Sequence, residues 1–526
     1  MQHTFTFDRL RVLGRRNSSV CAGSSHLTVS IAFALLLFGP ALFGQTSLYW
    51  DINGKTVGAG GASPSQTWSS TTKYWNTNAA GTTTAPAAWK SGSFAIFSAG
   101  TDATGAYTVT VSGTQTVAGI TIAEGSPVFS GGTLSLKGAA PAISVAAGSI
   151  ATFNSRIAST TLNTGLTVNG AGTLILGSTS NTYTGPTTIS SGILQLGVNN
   201  SVPSGSAVTV ASGASFDVNS KTETVGSLAG AGNITLAAGA LTAGGDNTST
   251  TFSGVLSGTS VSSLTKTGTG TLTLGGANTF AGTVLVSAGT VLAAAQDVFN
   301  SANQITVNAG SILNLADFSQ TIASITSNGT LALGAGSLTS LTLSSGASTL
   351  AGSLTGAGTI IVGSGATLTL GANFNAPNVN IVLNGGTLFL NGTTDTIGTL
   401  NLTANSILDF GASSASVLTA ASVVVNTGIA VTINNWANLQ DYFYATNNLL
   451  GFNPSTSTYV AAVQGQTSVT PQNQITFTGF SAANTNWQTD NQISPMPEPT
   501  TYGTLLVGLA TAIVVWRRRA SGVHKF

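Results

Sequence analysis

The sequence predicts an all-β fold in which short strands stack coil upon coil, a β-solenoid, and three observations predict it. Apolar residues alternate with Thr in Leu272-Thr273-Leu274, Leu341-Thr342-Leu343 and Leu368-Thr369-Leu370, the period-two pattern of strands with one buried face. Glycine, 65 of 526 residues, punctuates these runs and supplies tight turns. The pattern also repeats at long range, which is how a stacked array reads in sequence.

The strands come first in the argument because each is too short to bury its apolar face alone. Successive coils must therefore pair with one another, about 4.8 Å apart. Coils of about 20 to 25 residues would make roughly 20 coils from Gln45 to Ile493. The repeat is explicit. Gly170-Ala171-Gly172-Thr173-Leu174-Ile175-Leu176 matches Gly268-Thr269-Gly270-Thr271-Leu272-Thr273-Leu274 at an offset of 98, and Asn181-Thr182-Tyr183-Thr184-Gly185 matches Asn278-Thr279-Phe280-Ala281-Gly282 at 97. Val208-Thr209-Val210 then falls on Ile305-Thr306-Val307, and Thr224-Val225-Gly226 on Thr321-Ile322-Ala323.

Charge is scarce, 6% of residues against 42% hydrophobic, where an ordinary domain carries about 25% charged residues. Arg9, Arg11, Arg15 and Arg16 lie at one end and Arg517, Arg518, Arg519 and Lys525 at the other. No basic residue stands between Lys266 and Arg517, so no groove there can track phosphates, and no nucleic-acid partner is expected. Cys21, His3, His26 and His524 all lie in the end segments. The body thus lacks thiolate, imidazole and the usual zinc ligands, and no catalytic residue, metal or cofactor is expected.

Both ends look like addresses. Arginines precede an apolar run from Leu27 to Phe38 and the small residues before Gln45, the layout of a secretory signal peptide, placed over residues 1–44. At the other end Met496-Pro497-Glu498-Pro499 precedes an apolar run, residues 503–516, and then Arg517-Arg518-Arg519. A helix there reaches only about 21 Å, short of a core about 30 Å thick, which suits brief parking in a membrane better than permanent anchoring. The arginines act as a basic stop on the cytoplasmic side.

This tail resembles the PEP-CTERM sorting signal, with Pro497, Glu498 and Pro499 as the sorting motif; an ordinary tail anchor is the alternative. The resemblance implies a membrane-embedded exosortase-like protease as processing partner. It also implies an inner-membrane precursor held by the C-terminal helix, and delivery to the cell surface or extracellular matrix of a Gram-negative-type bacterium. The stretch from Leu264 through Gly289, with its copy from Gly170 to Gly192, resembles the autotransporter-associated β-strand repeat. That family implies a right-handed parallel β-helix in a secreted passenger region. An autotransporter ends in a membrane β-barrel, whereas this chain is expected to end in one short apolar helix, so self-translocation is not implied.

The organisation expected is a signal peptide (1–44), a Trp-rich capping region (45–100), a β-solenoid (101–430, best copies 166–196 and 264–292), a C-terminal cap (431–492) and the sorting tail (493–526). Trp50, Trp68, Trp75 and Trp89 cluster early, Trp436 and Trp487 late. They read as plugs on the terminal coils, with sugar stacking by exposed rings as the alternative. The expected function is a non-catalytic surface or matrix protein of adhesin type, with exopolysaccharide as a candidate partner. The alternative is a polysaccharide-binding or polysaccharide-degrading β-helix. Glycoside cleavage needs two carboxylates about 5 to 10 Å apart, and Asp297 with Asp317 is the best pair, one coil apart if a coil takes twenty residues. Against it, the duplicate copy has Asn200 and Ser220 at those places. Gly244-Gly245-Asp246 faintly resembles a calcium-binding β-roll, but in a single copy.

Overall fold

The structure, a computed structural model, describes residues 45–495 except 83–84, 372–373, 413–414, 467–469 and 481–484. The expected signal peptide, Pro497-Glu498-Pro499, the apolar run and Arg517-Arg518-Arg519 lie outside the described residues. Within them the chain is a parallel β-solenoid of about 17 turns, fewer than the roughly 20 anticipated. The single helical element among the described residues is the 3-10 turn Gln472–Gln474.

Four long sheets of 18, 9, 12 and 9 strands run along the body. Each coil contributes strands to different sheets, so a coil has up to three faces. One coil, for example, runs through Ser227–Gly230, Asn233–Ala237 and Ala240–Ala243, and the next through Thr250–Phe252, Leu256–Gly258 and Ser263–Lys266. Antiparallel strand pairs occur, among the described residues, only towards the two ends: Ser47–Trp50 with Lys73–Asn76 and Lys73–Asn76 with Ala87–Ala88, then Tyr442–Asn453 with Thr458–Ala461 and Thr485–Trp487 with Ile493–Pro495.

Inward side chains form columns in register. Leu174, Leu194, Phe216, Ile234 and Leu256 stack through five consecutive coils, all fully buried. In the twelve-stranded sheet the residues between the inward ones point outward, so Thr265, Leu285, Thr306, Thr326 and Thr349 line up on the outer surface. This is the period-two pattern converted into a dry interior, with each buried Leu or Phe removed from water contributing about 1.5–3 kcal/mol.

Glycine matters most at the Gly-x-Gly corners. Gly170 has φ +85 and a Cβ added there would fall on the carbonyl oxygen of Val145 in the coil below. Gly268 repeats this against Gly244 O. Left-handed backbone and coil-to-coil approach thus both demand a residue without a side chain.

The early tryptophans meet inside the rod. Trp75 lies with ring centroids 5.3 Å from Trp50, 4.8 Å from Trp68, 4.6 Å from Trp89 and 5.4 Å from Phe97. The column continues from Phe97 to Phe129 at 4.9 Å and Phe153 at 4.4 Å. At the other end Trp436 packs on Phe410 at 5.0 Å and Phe477 at 4.8 Å. The sugar-stacking alternative fails for Trp50, Trp68 and Trp75, which are fully buried, and for Trp89 and Trp487, which are buried; Trp436 is half-buried against Phe410 and Phe477.

Candidate interaction surface

The carboxylates proposed for glycoside cleavage are out of register by two residues and are held by different backbone groups. A coil here advances 22 residues from Thr290 to Ile312, so Asp297 lies beside Ser319, whose carbonyl accepts its N–H at 3.1 Å. Asp317 instead follows the shorter next coil, its N–H donating to Leu333 O at 3.2 Å. Both have left-handed backbone, φ 49 and 69, as do Asn200 and Ser220, φ 49 and 59, in the duplicate copy. Asp and Asn tolerate that conformation. Their carboxylates are engaged locally, Asp297 by the Thr321 N–H at 3.2 Å and Asp317 by the Gly336 N–H at 2.6 Å. These are corner residues. The carboxylate of Asp246 likewise accepts from the Thr248 N–H at 2.9 Å and hydroxyl at 2.7 Å. No cluster of three metal-ligating side chains forms among the described residues, nor is any helix there long and apolar enough to cross a membrane.

What the structure brings together instead is a set of buried polar side chains that tie coil to coil. Asn181 accepts the Ile157 N–H from the coil below at 2.7 Å and donates to Ser201 O in the coil above at 2.8 Å. Asn278 repeats the staple with the Leu256 N–H at 2.8 Å and Val298 O at 2.7 Å. Each bridges three coils from a residue outside the strands, and so takes over the ladder's work of satisfying backbone groups there. Asn278→Ala is expected to cost about 1–3 kcal/mol, because it strands a buried N–H and a buried carbonyl. Chemical denaturation, with faster amide exchange at Leu256, checks it.

Directly above the first staple, Glu223 is fully buried. Its Oε2 accepts the N–H groups of Ser201 at 2.9 Å and Val202 at 3.4 Å, while Oε1 meets no partner. Burial pushes its carboxyl up to about 7, against the opposing pull of those N–H donors. In the duplicate copy Gln320 takes the same seat. Its Oε1 accepts the Phe299 N–H at 3.4 Å, and its Nε2 donates to Ala295 O at 2.8 Å and Phe318 O at 3.3 Å.

Lys266 has a role that composition could not assign. It is 1% exposed, and Nζ donates to Thr267 O at 2.6 Å, Gly268 O at 2.9 Å and Ala288 O at 3.3 Å. Burial lowers its pKa. Its place at the end of an alternating strand, Ser263–Lys266, was the available signal, since the alternation points it inward.

Beside the Asn181 staple the surface opens into a cleft of about 760 Å³ that spans three coils. Thr179, Thr182, Thr184, Asn200, Ser204 and Thr224 give it polar walls. Beneath them a buried chain of hydroxyls holds the shape: Tyr183 Oη to Thr187 Oγ1 at 2.8 Å, Thr187 Oγ1 to Ser206 Oγ at 2.9 Å, and Ser206 Oγ to Gly185 O at 2.9 Å.

A parallel solenoid with outward rows of Thr and Ser, fixed internal staples and an uncharged cleft is a repetitive scaffold, and the comparisons find passenger-type repeats within it. Residues 166–196 and 264–293 match the family model described as Passenger-associated-transport-repeat. Over 202 residues the chain is 36% identical to the Adhesin BmaC autotransporter of Brucella suis biovar 1 (strain 1330), a stretch that is 38% of this chain and 5% of that adhesin. The chain therefore corresponds to a small part of this relative's length. No solved structure matches it.

Proposed function

We propose that the chain is an exported bacterial surface protein of adhesin type, whose solenoid works as a non-catalytic stalk and contact surface. The observation that carries it is the joint one: stacked parallel coils, with passenger-type repeats at residues 166–196 and 264–293 and likeness to part of an autotransporter adhesin. The long, weakly charged outer faces suit many weak contacts spread along a rod.

Delivery is the finer part of the proposal. The precursor parks in the inner membrane by the apolar run at residues 503–516, with Arg517, Arg518 and Arg519 left in the cytoplasm. An exosortase-like protease then acts at Pro497, Glu498 and Pro499 and releases the body to the cell surface or matrix, where exopolysaccharide is the candidate partner. The two prolines in the sequence support this step, because proline fixes φ, biases the preceding residue away from helix and so favours a form of chain a protease can bind.

The test replaces the motif in the producing bacterium by Pro497→Ala, Glu498→Ala and Pro499→Ala together. The chain is expected to remain in the inner-membrane fraction, with loss of labelling by a membrane-impermeant reagent and reduced adherence of the cells. Unchanged labelling would remove exosortase sorting from the account, and unchanged adherence in a strain lacking the whole chain would remove the adhesin role.

A further inference from the structure

We infer that the cleft between Thr179 and Thr224 is a binding site for a neutral polysaccharide chain, a ligand assignment that rests on the surface-protein proposal above. Three observations converge on it.

The first is a comparison the chain makes with itself. The duplicate copy carries the same loop 97 residues on, with the same staple, Asn278 for Asn181. There the small residues Val202, Pro203, Gly205 and Ser206 are replaced by Phe299, Asn300, Ala302 and Asn303. Phe299 and Asn303 are both buried, and Asn303 Nδ2 donates to Phe280 O at 2.9 Å and Gly282 O at 2.8 Å. One copy of the loop is thus packed with larger side chains, while the other leaves a cleft of about 760 Å³ over a rigid hydroxyl network. A fold that can fill the space has left it open.

The second is the chemistry of the wall. None of its lining residues is charged. Thr179, Asn200 and Ser204 are exposed and Thr224 half-exposed, presenting three hydroxyls and a carboxamide. Thr182 and Thr184 are already engaged on their outer side, by Arg156 Nη2 at 2.6 Å and by the Asn163 N–H at 3.0 Å. Hydroxyl and amide groups that both donate and accept match sugar hydroxyls, and Val202, Pro203 and the edge of Tyr183 give the floor an apolar component.

The third observation separates a glycan from an extended peptide. A peptide would add to exposed ladder groups, but four candidates along the cleft, the N–H groups of Thr182, Asn200, Ser201 and Val202, are already committed. Thr182 N–H donates to Ile157 O at 2.8 Å and Asn200 N–H to Thr222 O at 2.9 Å, and those of Ser201 and Val202 go to Glu223. Along this stretch, ladder-type addition of a peptide is blocked, and the exposed side chains of the wall carry the recognition.

The experiment uses the full chain over surfaces of immobilised dextran and mannan as neutral probes and alginate as the acidic one, read by surface plasmon resonance. Wild type is expected to be retained on at least one neutral polymer. Val202→Phe, which imports the duplicate's plug, is expected to weaken binding at least tenfold with an unchanged circular dichroism spectrum. Ser204→Ala with Thr224→Ala, both on the wall and outside the core, is expected to do the same should the plug disturb folding. Retention on alginate alone, retention on none, or wild-type binding by both variants overturns the site. Surface labelling and cell adherence, scored separately on the same variants, are expected to show the protein still displayed, so failure of the cleft is distinguishable from failure of the surface role.

Discussion

Trp75→Ala is expected to unfold the N-terminal coils while leaving the middle of the rod intact. The Trp75 ring touches Trp50, Trp68, Trp89 and Phe97 at centroid distances from 4.6 to 5.4 Å, and no part of it is exposed. Truncating such a residue removes its transfer free energy and leaves a cavity, about 3–5 kcal/mol together, with further loss from each edge-to-face ring contact. In a stack each coil is stabilised mainly by its neighbours. A terminal coil has only one, so the damage stays local. Hydrogen exchange is expected to show lost protection in residues 47–111 and native protection in residues 264–293. Uniform loss along the chain, or none, would contradict a plug that acts on the terminal coils.

Glu223→Gln is expected to make the solenoid more stable at alkaline pH and to abolish most of its weakening between acid and base. Burial raises this carboxyl from an ordinary 4.5 to about 7, so the folded chain holds the proton more tightly than the unfolded chain. The stabilisation is complete below pH 4.5 and is lost as pH rises through about 7, a span of about 3 kcal/mol. Above that range a charge must remain buried or the coil must open. Gln320 shows what a neutral side chain does in this seat: it keeps the acceptor to Phe299 and adds donors to Ala295 O and Phe318 O. The carbonyls in the matching places below Glu223 are those of Val198 and Lys221. Urea unfolding at pH 5 and pH 8 gives the measurement. Wild type is expected to lose stability between them and the glutamine variant to hold nearly level; parallel losses in the two would show Glu223 to be ionised throughout.

Much of the fold was legible because its cause is local. Alternation in Thr271-Leu272-Thr273-Leu274 specifies a strand with Leu272 and Leu274 inside, and the Gly-x-Gly before it specifies a corner pressed against another coil. These need no knowledge of where in the rod the segment sits. The staples were half legible. Asn181 and Asn278 stood out as a repeated Asn-Thr-aromatic element, but their partners lie 20 to 24 residues away on two other coils, a relation that no local pattern carries. Glu223 and Gln320 were illegible for the same reason, while for Lys266 the alternation of its strand gave the inward direction but not the carbonyls it clamps.

What the amino-acid sequence settled by itself is the unit: a strand, a glycine corner, another strand, and their stacking into a weakly charged rod. What only the tertiary structure decided is phase. Thr173–Leu176 lies in the first nine-stranded sheet and its duplicate Thr271–Leu274 in the eighteen-stranded one, while Ala207–Val210 lies in the eighteen-stranded sheet and Gln304–Val307 in the twelve-stranded one. The duplicate follows four coils and two further faces later, so equivalent segments look out from different sides of the rod. The physical reason is that coil length varies with the corners: it is 18 residues between Ile312 and Thr330, for example, but 25 between Ala142 and Thr167. The face a residue occupies depends on the sum of every corner before it, and for that sum a strand-and-turn pattern has no term. Asp297 falls beside Ser319 and not Asp317 because that one coil takes 22 residues where 20 would have aligned them.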